Sequence, residues 1–173
     1  YVLTANINTV TSLDVNTQSI SDLTGIEDFI SLTHLHCANN QLTSLDLINN
    51  TALTYLECQQ NQITTLDLSN NTALTDLNCR HNQLTTLDVS NNPALNYFRC
   101  NDNELTSLDV RSGNNTNILG SFYAQNNDSL ICIDVDDPVY SAANWGSIDP
   151  WAGFSENCQN IYGCTDPTAA NYN

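Results

Sequence analysis

Over residues 10–110 the apolar positions recur in a fixed frame and not at helical spacing. The segment Leu53-Thr-Tyr-Leu56-Glu-Cys58-Gln-Gln-Asn61-Gln-Ile63 reads LxxLxCxxNxI, and the frame starts again at Leu32, Leu74 and Leu95, a step of 21 residues. Cys37, Cys58, Cys79 and Cys100 keep that step, as do Asn40, Asn61, Asn82 and Asn103. A looser copy opens at Val10, with Val15 in the cysteine slot and Gln18 in the asparagine slot. The link from Ile20 to Leu32 is one residue longer than its later counterparts. Between these segments lies a similar second half, Leu42-Thr-Ser-Leu45-Asp46-Leu47-Ile-Asn-Asn, which recurs at Ile63, Leu84 and Leu105.

Each half is short, carries Thr throughout and is interrupted by Asn-Asn, which disfavours helix. Leucines two or three apart on an extended backbone face one way. One coil cannot bury its own leucines, but stacked coils bury them jointly. The pattern therefore predicts a mainly β solenoid. The LxxLxC halves should form a parallel sheet, and the LxxLD halves a second sheet or an extended return. Asn40, Asn61, Asn82 and Asn103 should turn inward and bond the backbone at each turn, because a buried backbone group left unpaired costs about 1–3 kcal/mol.

These residues resemble the leucine-rich repeat consensus LxxLxLxxNxL over roughly residues 10–135, with four copies in phase. The link Ile20-Ser-Asp-Leu-Thr-Gly-Ile-Glu-Asp-Phe-Ile-Ser-Leu32 is similar to the ITDLTGLxxLxxL units of internalin-type bacterial repeats. The nesting of two halves resembles a short, irregular class common in secreted proteins of marine Bacteroidetes. The resemblance implies a right-handed solenoid with its parallel sheet on the concave face. It also implies a non-catalytic, secreted or cell-surface module that recognises a protein partner on that face.

Phase fails after Val110. Asn114-Asn115-Thr116-Asn117-Ile118 opens another coil with an inserted residue, so that Ile118 or Leu119 takes the leucine slot and Phe122 the next. Half a repeat later, Asn126-Asn127-Asp128-Ser129-Leu130 starts again, giving Leu130, Ile133 and Val135. This reads as a shortened last coil. A solenoid end exposes leucines and strand edges that need covering. Residues 136–158 carry Tyr140, Trp145, Trp151 and Phe154, as an irregular C-terminal cap would. Cys132 and Cys158 bracket it, and a disulfide between them is expected, which implies an oxidising compartment. The tail from Tyr162-Gly-Cys164-Thr-Asp166-Pro resembles the start of a GCTDP-type linker module that usually carries a second cysteine. The expected organisation is a solenoid over 1–135, a cap over 136–160 and a truncated linker module over 161–173. Residues 1–9 are too short for a complete N-terminal cap, so both ends read as cut.

Charge narrows the partners. The 173 residues include 19 Asp and Glu against Arg80, Arg99 and Arg111, for a formal net charge of −16. Nucleic acid needs clustered cations and is an improbable partner. An anionic membrane surface is disfavoured for the same reason. No apolar run reaches the roughly 18–20 residues of a membrane helix, so no membrane insertion is expected. A chain that is 40% hydrophobic is too apolar to be disordered.

Candidate chemistry is sparse. The four ladder cysteines occupy a slot that the first copy fills with Val15, which reads as an inert structural column of buried thiols. Asp46, Asp67, Asp88 and Asp109 form an outward column on the return face. Two charges ~5 Å apart repel by roughly 0.8 kcal/mol in water and about four times that at an effective dielectric of 20. Thr64, Thr65, Thr85, Thr86, Thr106 and Ser107 are the expected source of relief. Calcium is the one cation those oxygens would suit; no other cofactor or metal is expected. Asp134, Asp136 and Asp137 read as a solvated cap edge, with a second oxygen cluster for such a cation as the alternative. His34, His36 and His81 have no zinc-type spacing with Cys, and no nucleophile–base arrangement is visible, so catalysis is not expected.

The informative positions are the outward slots of the LxxLxC strands. One holds His34, Tyr55, Asp76 and Tyr97, and the next holds His36, Glu57, Asn78 and Arg99. The slot after Cys holds Ala38, Gln59, Arg80 and Asn101, followed by Asn39, Gln60, His81 and Asp102. These slots vary while everything around them repeats. His34, His36, Tyr55, Glu57, Asp76, Asn78, Arg80, Tyr97 and Arg99 are the candidate binding residues of a monomeric module. A protein ligand leads, with a polysaccharide as the rival and a structural spacer without a ligand as the third reading.

Overall fold

The computed structural model describes residues 7–118 and 121–160. In chain order the strands are β1 (Ser12–Asp14), β2 (His34–His36), β3 (Tyr55–Glu57), β4 (Asp76–Asn78), β5 (Thr86–Asp88), β6 (Tyr97–Arg99), β7 (Ser107–Asp109), β8 (Phe122–Tyr123), β9 (Cys132–Asp134) and β10 (Gly153–Ser155). One short α-helix, α1 (Pro138–Asn144), lies between β9 and β10. Strands β1-β2-β3-β4-β6-β8 form one parallel sheet in that order, and β10-β9-β7-β5 form a second. The fold is a leucine-rich repeat solenoid with one strand of the larger sheet per coil.

The 21-residue step is also the register of that sheet. Leu13, Leu35, Leu56, Leu77, Phe98 and Phe122 stand side by side in one row. A typical coil contributes Leu53, Leu56, Cys58, Ile63, Leu66 and Leu68 to a core running the length of the stack. Full burial of each leucine is worth roughly 1.5–3 kcal/mol, and only the neighbouring coils supply it.

Two residues after each ladder cysteine, and after Ala124 in the same slot, the chain turns through a left-handed residue: Asn39, Gln60, His81, Asp102 and Asn126, with φ of 56°, 56°, 52°, 56° and 59°. Non-glycine residues rarely adopt this conformation. Here the inward asparagine that follows locks it. Asn82 Nδ2 donates to the carbonyls of Cys58 and Cys79 at 3.0 Å each, and its Oδ1 accepts from Ile63 N–H at 3.0 Å. Asn40, Asn61 and Asn103 make equivalent bonds. Each asparagine thus ties two coils together.

The end of the array differs from the sequence expectation. Asn127 bonds the carbonyls of Cys100 and Ala124 as the ladder asparagines do. Leu130, Ile133 and Val135 then form the return half of the coil that β8 opened, with Ile133 in register with Leu108. What reads as a shortened coil is the second half of a complete one. The insertion around residues 113–121 displaced the frame. Ile118 is buried, and Leu119 lies outside the described residues.

The cap is more regular than expected. Asp137 N-caps α1, accepting from Val139 N–H and Tyr140 N–H at 2.9 Å each. Strand β10 then pairs with β9, and Ser147 bridges to Tyr123, so the cap extends both sheets by one turn. Trp145 closes the core, stacked on Phe122 with 4.4 Å between ring centroids, and its indole N–H donates to the Ile118 carbonyl at 3.0 Å. Trp151 and Val139 are exposed. Cys132 and Cys158 are joined by a disulfide across 5.7 Å between their Cα atoms. The GCTDP-like tail falls at 161–173, outside the described residues.

Candidate functional site

On a strand with its central residue buried, the residues on either side point to the other face. Register aligns them into two columns on the larger sheet. The first runs Ser12, His34, Tyr55, Asp76, Tyr97. The second runs Asp14, His36, Glu57, Asn78, Arg99, Tyr123. All nine candidate binding residues therefore lie on one face: eight in these columns and Arg80 two positions beyond Asn78.

The face divides into two clusters. Over β2 and β3, Tyr55 stacks on His34 with ring centroids 5.7 Å apart and packs against His36 at 5.0 Å. His36 Nδ1 sits 2.9 Å from Glu57 Oε2. Burial, a hydrogen bond to Glu57 and the charges of Glu57 and Asp76 push the Tyr55 phenol up to about 12. Over β6 and β8, the Arg99 guanidinium carbon lies 4.8 Å from the Tyr97 ring centroid and 4.6 Å from that of Tyr123. A guanidinium between two aromatic faces is held by their quadrupoles and loses little further entropy on binding. Between the clusters, Asp76 accepts from Thr75 Oγ1 at 2.7 Å, and Asn78 is 7% exposed with its Oδ1 unbonded.

A family model described as leucine-rich repeats in two copies matches residues 30–71. Internalin J of Listeria monocytogenes serotype 4b (strain F2365) is 54% identical over 43 residues, 25% of this chain and 5% of that protein. The functional domain of InlJ from Listeria monocytogenes, which includes a cysteine ladder, superposes with a TM-score of 0.62 at 42% identity, over 76% of this chain and 31% of that one. The chain has an internalin-like leucine-rich repeat fold and is similar to these bacterial proteins. A second internalin, InlF from Listeria monocytogenes strain 4b F2365, superposes with a TM-score of 0.56 at 25% identity, over 84% of this chain and 42% of that one. The chain thus spans less than a third of the InlJ domain and a small fraction of Internalin J.

In this leucine-rich repeat the slot after each cysteine is only partly outward. Ala38 and Asn101 are buried, and Gln59, Arg80 and Gln125 are half-buried. The left-handed residue that follows curls the chain toward the asparagine ladder and draws this slot under its neighbours. Gln59 Oε1, Arg80 Nε, Arg99 Nε and Gln125 Oε1 are buried without a hydrogen-bond partner. Tyr123 and Gln125 escaped the sequence reading because the insertion broke the 21-residue count. Phe122, read as a core position, was the signal that the next residue faces outward. At the rim, Asp102 accepts from Asn126 Nδ2 at 2.8 Å and lies 3.6 Å from His81 Nε2.

The four repeat cysteines are fully buried free thiols. Burial pushes Cys37 up to about 12 and raises Cys58, Cys79 and Cys100 as well. Thiolate is the reactive form, so these groups are chemically quiet near neutral pH.

The aspartate column is relieved differently from the sequence expectation. Asp46, Asp67, Asp88 and Asp109 each accept from the backbone N–H two residues on, at 2.8–3.1 Å. An Asx turn brings that donor within reach, whereas the Thr and Ser hydroxyls flank the strand. The Ser69 backbone N–H holds Asp67 below the usual carboxylate range. Asp134 is not a solvated edge. It is buried, accepts from Cys158 N–H at 2.8 Å and lies 3.8 Å from Arg111. Among the described residues no three His, Cys, Asp or Glu side chains converge to hold a metal ion. Among them, too, no helix is long and apolar enough to cross a membrane.

Proposed function

We propose that this chain is a non-catalytic, extracellular, monomeric binding module that recognises a protein partner through the concave face of its larger sheet. One observation carries the reading. The outward slots of that sheet vary from coil to coil and are organised into clusters of Tyr, His and Arg, while the return face repeats Thr and Asp. Tyr and Arg dominate interface hot spots, and well-packed ones contribute most. The internalin-like fold points the same way. The Cys132–Cys158 disulfide supports an oxidising, extracytoplasmic setting.

The test replaces Tyr55, Tyr97 and Arg99 with Ala together and, separately, Thr65 and Thr86 on the return face. Both variants and the wild type are immobilised and exposed to native proteins and to a panel of polysaccharides. Wild type and the return-face variant should retain the same protein, with affinity at least about 100-fold weaker in the triple variant. Equal retention by the triple variant overturns the concave-face reading. Retention of a polysaccharide alone assigns the module to the glycan rival, and retention of nothing assigns it to a spacer role.

A further inference from the structure

The three arginines are not treated alike. On the return face Arg111 is fully occupied: it pairs with Asp109, approaches Asp134 at 3.8 Å and donates to the Glu156 carbonyl at 3.0 Å. On the larger sheet, Arg80 and Arg99 have no carboxylate within 4.0 Å among the described residues. This is notable in a chain of net charge −16. The acids on the same face are already engaged: Asp14 with the Asn16 N–H, Glu57 with His36, Asp76 with Thr75, and Asp102 with Asn126. Around the two arginines, Gln59 Oε1, Asn78 Oδ1 and Gln125 Oε1 are buried acceptors with no donor. None of these acceptors takes a hydrogen bond from either guanidinium, although unsatisfied buried polar atoms are few in native proteins.

We propose that Arg80 and Arg99 form a paired carboxylate subsite that receives an acidic, extended segment of the protein partner. The proposal rests on the concave-face reading above and specifies its chemistry. Arg80 and Arg99 lie on adjacent coils, offset by two residues along the strand, which puts their Cα atoms about 8 Å apart. Alternate side chains of an extended segment are about 7 Å apart and project the same way. Acidic residues at i and i+2 therefore match the two guanidiniums. Each carboxylate takes the outer Nη donors, since both Nε atoms are buried. A polysaccharide fits less well, because the ring faces it would stack on are taken. Tyr97 and Tyr123 face Arg99, and Tyr55 faces His34 and His36.

Three arginines give only three side-chain Nε–H resonances in an ¹H–¹⁵N spectrum, and Arg→Gln variants assign them. Hexaglutamate is titrated into the chain at 0.15 M salt, where charges beyond about 8 Å are largely screened. The Arg80 and Arg99 resonances should move saturably while that of Arg111 stays. Arg80→Gln and Arg99→Gln should each weaken hexaglutamate about tenfold, as loss of one charge-assisted pair implies, with backbone dispersion unchanged. Hexagalacturonate, with the same number of carboxylates on a sugar chain, should bind more weakly. No saturable movement, equal movement of Arg111, or wild-type affinity in both variants overturns the subsite. Tighter binding of hexagalacturonate overturns the peptide assignment. If hexaglutamate fails while the triple variant still loses its native protein, the concave face stands and only the acidic chemistry falls.

Discussion

Single asparagines govern how the coils join. Asn82 closes four bonds in one turn, to the carbonyls of Cys58, Cys79 and, at 3.4 Å, Arg80, and from the N–H of Ile63. Replacing it with Ala leaves those groups buried and unpaired, at about 2–4 kcal/mol. Asn71 belongs to a second column with Asn50 and Asn92 that donates to carbonyls of the preceding coil. It makes two such bonds, to Leu47 and Asn50, and its Oδ1 has no partner. Asn71→Ala should therefore cost roughly half as much. Urea unfolding of the two variants measures the difference, and equal midpoints would remove the ladder argument. The first column was legible because its asparagine sits at one fixed distance from cysteine in every copy. The second was not. In Asn49-Asn50, Asn70-Asn71 and Asn91-Asn92 both residues repeat, and sequence alone does not say which one turns inward.

At the scale of elements, periodicity revealed the strands wherever it was unbroken. The buried row of the larger sheet and the outward columns over β2, β3, β4 and β6 follow directly from the 21-residue step. The return sheet was only half legible. Its strands pair at β5, β7, β9 and β10, whereas the equivalent segments 45–47 and 66–68 form no strand. The same Leu-Asp-Leu pattern appears in both settings, so the difference arises in stacking rather than in local preference. The cap was legible as aromatic composition but not as geometry. Its pairing with β9 depends on Trp145 filling the end of the core, a contact between residues 27 positions apart for its Ile118 bond. Cys132 and Cys158 fix this arrangement across a separation of 26 residues. A loop of that length contributes about 3.5 kcal/mol in the chain-entropy account. Replacing both cysteines with Ser should lower the melting temperature. It should also strip hydrogen-exchange protection from the Val135 and Gly153 amides that join β9 and β10. The amides of β3 and β4 should keep theirs. Uniform loss across the chain would show the cap to be part of one cooperative unit.

At the scale of the described stack, the first and last described coils are packed differently, and a quasi-one-dimensional core makes that consequential. Each coil rests only on its neighbours, so stability is close to a sum of coil and interface contributions. The C-terminal end is closed by stacked Trp145 and Phe122, by Phe154 at 5.8 Å from Trp145, and by the disulfide. In the first described coil Val10, Leu13, Val15, Ile20 and Leu23 are only partly buried, and among the described residues β1 pairs with β2 alone. Its apolar side chains recover a smaller share of the hydrophobic gain that Leu35, Leu56 and Leu77 obtain in full. The acidic charge works in the same direction, since self-repulsion acts on every coil and is resisted least where packing is weakest. Opening should therefore begin at β1 and move inward. Native-state hydrogen exchange should show protection rising from the Val15 amide, through Cys37 and Cys58, to Cys79, each of which donates to the following coil. The candidate face reflects this gradient, because Tyr97, Arg99 and Tyr123 sit beside the cap and His34 and His36 nearer the first described coil. Equal protection at Val15 and Cys79 would mean that the stack unfolds as a single unit, and that the aromatic cluster over β2 and β3 is held as firmly as the arginine cluster over β6 and β8.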